Sequence, residues 1–168
     1  MKRSIPPGLI AVGMMLVVGT FTWAYFGDST IAADAVTLPD QLGDLPRTDY
    51  RTGAQAIAEF EELHGKQFPL TAGAIGIYGN QEITVWVAGT PSDSIAAQMI
   101  DAMQAKIAKG NSPFTPLSQA NEKNRSINFL EGMGQKHFYF QSKNLVVWVA
   151  VEPALAEAVI QQILEAYP

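Results

Sequence analysis

A run that occurs twice constrains this chain most. Residues 83–91 read Ile-Thr-Val-Trp-Val-Ala-Gly-Thr-Pro and residues 145–153 read Leu-Val-Val-Trp-Val-Ala-Val-Glu-Pro, so Trp86, Val87, Ala88 and Pro91 recur as Trp148, Val149, Ala150 and Pro153, 62 positions later. Each copy is rich in residues that favour strands and is broken by proline. Beyond the proline the apolar spacing changes from about two to between three and four, as where a strand hands over to a helix. Both runs are apolar on both sides of the pleat, which places them inside a sheet rather than at its edge. The even offset keeps the two indoles at matching pleat positions. If the halves are related by a pseudo-twofold axis, Trp86 and Trp148 lie on one face near it.

The remaining segments extend this plan. Thr52 followed by Gln55 is a capping-box pattern, and Ile57, Phe60 and Leu63, with Ala54 and Ala58, form one stripe of a helix over 53–64 that Gly65 ends. Residues 71–78 read as a small-residue strand, joined through Gly79-Asn80 to the first Trp strand as a hairpin of open register. Thr90 as N-cap and Pro91 at the first helical position start a helix with the stripe Ile95, Met99, Met103 and Ile107. Residues 111–125, with Pro113 and Pro116, read as a surface connection. A strand follows over 126–131, and Gly132-Met133-Gly134 turns into residues 137–140, which pair across Ser142–Asn144 with the second Trp strand. A last helix from Pro153 carries Leu155, Val159, Ile163 and Tyr167. The expected architecture is α+β: a largely antiparallel sheet of about five or six strands, built from two similar hairpin-helix halves (51–110 and 126–168), with helices packed on one face.

Ahead of this domain, residues 8–26 are uncharged throughout and mostly apolar. As a helix they span roughly 28 Å at about 1.5 Å per residue, close to the hydrocarbon thickness of a bilayer. Lys2 and Arg3 precede the segment and Asp28, Asp34 and Asp40 follow it, so residues 1–7 are expected in the cytoplasm and the domain outside, in the plasma membrane of a bacterium. Residues 27–50 read as an extracytoplasmic linker. The competing reading is a cleaved secretory signal with Ala33-Asp34-Ala35 as the cleavage site.

Charge and chemistry narrow the function. The net charge is −5, and past residue 26 nine basic residues face sixteen acidic ones, a balance that repels nucleic acid. With no cysteine there are no disulfides, thiolate metal sites or cysteine nucleophiles. His64 and His137 lack partners at metal-ligand spacing, so no metal, cofactor or catalytic set is expected. His64 suits the last turn of a helix, and Glu59, Glu61 and Glu62 suit a solvated helix face. Gly73, Gly76 and Gly79 do not open a helix and read as sites of close backbone packing. The candidate ligand-binding residues are Trp86, Trp148, Phe138 and Phe140: on a sheet face left uncovered they would form an aromatic shelf, whereas under the 53–64 helix they are core. The expectation is a single-pass, membrane-anchored extracytoplasmic binding module with an envelope protein or ligand as partner. The alternatives are an envelope enzyme of hydrolase type with His137 as base, and a secreted protein cleaved near Ala35.

Overall fold

A computed structural model describes residues 36–65, 68–110 and 112–168. In chain order these form β1 (Gln41–Leu42), β2 (Leu45–Thr52), α1 (Ala54–His64), β3 (Ala72–Tyr78), β4 (Ile83–Gly89), α2 (Asp93–Ala108), β5 (Thr115–Glu122), β6 (Arg125–Gly132), β7 (Gln135–Ser142), β8 (Leu145–Val151) and α3 (Ala156–Ala166). All the strands join in one antiparallel sheet of order β1-β2-β3-β4-β8-β7-β6-β5. The class is the expected α+β, with eight strands rather than five or six. The repeated runs are β4 and β8, and they pair with each other at the centre. Trp86 lies directly opposite Trp148, the one pair in this ladder that is both equivalent in the repeat and matched across the strands, so a local dyad passes between the indoles.

Period-two alternation sorts the sheet into two faces. On the core face, Ile83, Val85 and Val87 of β4, Val147, Val149 and Val151 of β8, Phe138 and Phe140 of β7 and Ile127 of β6 pack under Val159, Ile160, Ile163 and Leu164 of α3. Each fully buried aliphatic side chain here contributes about 1.5–3 kcal/mol. On the indole face, α1 packs chiefly on β2 and β3, and α2 on β5, β7 and β8. Gly73 is what lets α1 approach: a Cβ there would stand 3.0 Å from Phe60 Cε2 and 3.2 Å from Ala56 Cβ. The helices therefore occupy both faces, not one. The dyad governs the hairpins β3–β4 and β7–β8 but not the helices that follow them, because α2 turns onto the indole face and α3 onto the other.

Residues 36–52 belong to the domain rather than to a linker. Leu42↔Leu45 closes a hairpin through Gly43 and Asp44, both with positive φ, giving β1 and β2. Before it, residues 36–39 run along the core face as a strap that side chains hold by its carbonyls. Tyr50 Oη donates to Val36 O (3.1 Å), Tyr167 Oη to Thr37 O (2.9 Å), Arg47 Nη1 to Leu38 O (2.6 Å), and Tyr78 Oη to Pro39 O (2.8 Å). Burial pushes the Tyr78 phenol up to about 12, against a smaller lowering by Arg47, and raises Tyr167 further, so both stay protonated donors at neutral pH. Val36 and Leu38 are buried beneath them. The expected connection 111–125 likewise contains β5, an edge strand whose side chains are almost all exposed.

Local details depart from expectation at the helix ends. Gly53, not Thr52, caps α1, with no side-chain cap bond; the buried stripe is Ala56 and Phe60, while Leu63 is 71% exposed. Ser92 caps α2 through Ile95 N, and Thr90 Oγ1 instead bonds Ser92 O and Asn144 O. The last helix starts at Ala156, three residues past Pro153. The apolar segment 8–26, with residues 1–7 and the linker as far as residue 35, lies outside the described residues; among those described, no helix is long and apolar enough to cross a membrane.

Candidate functional site

One row of side chains crosses seven strands of the indole face. Register places Arg51 opposite Ile75, Ile75 opposite Trp86, Trp86 opposite Trp148, Trp148 opposite Tyr139, Tyr139 opposite Asn128, and Asn128 opposite Gln119. In an antiparallel sheet directly opposed residues point the same way, so the row is polar at its ends and aromatic at its centre. Trp86 joins the cluster under α1 with Ala56, Phe60 and Ile75, and Trp148 joins the cluster under α2 with Ile107, Leu130 and Tyr139. The seam between the two clusters passes between the indoles. Trp86 and Trp148 are both half-buried, as are Thr84 and Ala88 on the same face of β4.

The aromatic surroundings of Trp148 are ordered by stacking and one unusual hydrogen bond. Its indole stacks on Tyr139 (4.8 Å, 8°) and tilts against Phe114 (5.1 Å). Trp148 Nε1 donates to His137 Nδ1 at 3.2 Å, and His137 Nε2 lies 3.0 Å from Gly132 O. A carbonyl can only accept and an indole N–H can only donate, so His137 is the neutral tautomer with its proton on Nε2. Its side chain is 4% exposed, and burial lowers its pKa below the usual histidine value, partly offset by the Gly132 carbonyl. At the polar end, Asn128 Oδ1 accepts from Gln104 Nε2 (2.9 Å) and Gln119 Nε2 (3.0 Å), fastening α2 to the sheet. At the other end Arg51 pairs with Glu59 of α1 (2.7 Å) and with Asp49.

Of the four residues singled out in the sequence, Trp86 and Trp148 are brought together. Phe138 and Phe140 are not on that face: they oppose Val149 and Val147 and are buried in the main core under α3. The reason is one residue of turn length. A turn over Ser142–Asn144 would set Phe138 opposite Trp148, but the hairpin closes at Ser142↔Leu145 with two residues between, and a slip of one reverses every side chain. Tyr139 and His137 take those places. Phe114 and the Gln104–Asn128–Gln119 amides carried no sequence signal, since they meet only through pairing of distant strands.

The other candidates have structural roles. His64 ends α1 with Nδ1 donating to Phe60 O at 2.7 Å. Glu59 is committed to Arg51, while Glu62 is exposed. Among the described residues no group of three or more His, Asp or Glu side chains could hold a metal ion. No family model, curated protein or solved structure matches the chain.

Proposed function

We propose that this is a single-pass, membrane-anchored extracytoplasmic domain that binds an envelope protein or ligand at the seam between α1 and α2. The observation that carries the reading is the half-buried pair Trp86 and Trp148, set side by side at the middle of the sheet where the two helix clusters meet. Tryptophans combine large apolar area with little entropy to lose, which suits a recognition surface. His137 supports no competing reading as a base: it is buried and both ring nitrogens are engaged. The register across β4 and β8 also supports reading the two hairpins as an internal duplication.

A photo-crosslinking residue placed at Thr84 in cells tests the site, with Glu157 on the exposed side of α3 as the comparison. A defined adduct from position 84 that Trp86→Ala abolishes, and that position 157 does not give, is the expected result. Equal adducts from both positions, or none from either, would overturn it. Because the chain has no cysteine, single cysteines at Ser4 and Ser118 report topology with an impermeant maleimide: only Ser118→Cys is expected to react in intact cells. The mass of the mature chain decides between an anchored chain and one cleaved near Ala35.

A further inference from the structure

We propose that His137 and Trp148 form a proton-operated latch on the seam: adding a proton to His137 Nδ1 breaks its bond to the indole and drives Trp148 off Tyr139, opening the space beside Trp86. As regulation of binding this rests on the seam being the binding site; as a movement of side chains it does not.

The atoms leave few alternatives. In the neutral ring Nδ1 is the only acceptor offered to Trp148 Nε1, because the Nε2 proton is committed to Gly132 O. Protonation turns Nδ1 into a donor and sets two N–H groups against each other at 3.2 Å with no acceptor between them. One ring must leave. His137 is held by the Gly132 carbonyl, a bond that strengthens when the imidazole is charged, and it is only 4% exposed. Trp148 is half-buried and borders the seam, so the indole moves. Its departure also undoes the stack on Tyr139 and the contact with Phe114.

Among the described residues that face His137, no other side chain titrates in the acid range. β6 presents Leu130 to His137, β8 presents Ala150 and Trp148, the segment before β5 presents Phe114, and the α2 side chains of this cluster are Ile100, Met103 and Ile107. Glu131 and Lys136 oppose each other on the other side of the pleat and are exposed, as are Asp93, Asp101 and Lys106 of α2. Tyr139, which stacks on Trp148, has its pKa raised by burial and stays neutral through the acid range.

The full chain in detergent, labelled with 5-fluorotryptophan, gives each of its three tryptophans its own fluorine resonance, assigned by single Trp→Phe variants. Between about pH 7.5 and 5 the Trp148 signal is expected to shift in one titration whose midpoint lies below the ordinary histidine value, while Trp23 stays flat. In His137→Asn, whose amide oxygen still accepts from the indole but does not titrate, the Trp148 signal stays at its neutral position. A flat Trp148 signal in the unaltered chain, or the same titration in His137→Asn, overturns the proposal. Nitrogen NMR of the His137 ring in the unaltered chain adds a test that needs no variant to fold: its midpoint and that of Trp148 must coincide, and separate midpoints overturn the latch. Neither readout involves a partner, so a failed latch and a failed binding site are told apart.

Discussion

Gly76→Ala tests how the strap is seated. A Cβ on Gly76 would lie 2.7 Å from Leu38 Cδ1, closer than real Cβ contacts come, with Tyr78 Cε2 at 3.3 Å and Arg47 Cδ at 3.4 Å. The nearest atom is the far end of the Leu38 side chain, so relief takes a rotamer change inside the packed core. Leu38 is 6% exposed within the core, and its carbonyl is held by Arg47. Overpacking of this kind costs about 1–3 kcal/mol, offset by about 0.4–1 kcal/mol from the lower entropy of the unfolded chain when Ala replaces Gly. The net expectation is a loss of about 0–2.6 kcal/mol, centred on about 1.3 kcal/mol. Leu38→Ala alone leaves a cavity and costs about 2–5 kcal/mol. In that background the added methyl meets no Leu38 side chain, so Gly76→Ala changes sign and restores about 0.4–1 kcal/mol. Urea unfolding of residues 33–168, the compact unit, followed by circular dichroism on the four corners of the cycle, measures the coupling. Equal costs of Gly76→Ala in both backgrounds would refute the seating of Leu38 on Gly76.

Three further outcomes follow from the same geometry. Because the His137 pKa is lower folded than unfolded, its share of stability is complete above the unfolded value and is lost as pH falls toward the folded one; His137→Asn should flatten the fall in urea midpoint between about pH 7 and 5. The Tyr78 phenol is raised to about 12, so its share is complete below the unfolded value and is lost as pH rises through the folded one; Tyr78→Phe should make the alkaline loss of structure shallower. Arg125 reaches the carbonyls of Leu164 and Tyr167 at the end of α3 and lies over the Phe140 ring. Arg125→Ala should cost about 1–3 kcal/mol in urea unfolding, and faster amide exchange at the end of α3 would mark the lost cap.

What could be read from the sequence follows burial. The Trp strands are apolar on both sides, so their central place was legible, as was the face-sharing of Trp86 and Trp148 through the even offset. β2 and β5 were not: Leu45–Thr52 carries Arg, Asp and Arg with few apolar positions, and Thr115–Glu122 is nearly all exposed, so backbone pairing rather than alternation defines them. The turn joining β5 to β6 is Lys123-Asn124, both with positive φ yet without glycine, so the usual hairpin signal is missing. Leu38 and Leu42 were the visible hint that residues 36–50 were more than a linker. The site was half legible: the indoles came from periodicity, whereas Phe138 and Phe140 depended on a turn length that alternation alone does not set.

The pairing of β4 with β8 also dictates the order in which the fold can assemble. Strands β5 to β8 follow one another by short turns, as do β3 and β4, so each set can form from contacts near in sequence. The central ladder instead joins Gly89 to Leu145, a closure whose chain-entropy cost comes before any of its bonds are made. Contact order alone therefore favours folding by docking of two locally formed ribbons along their tryptophan strands, with the β4–β8 ladder expected to close last.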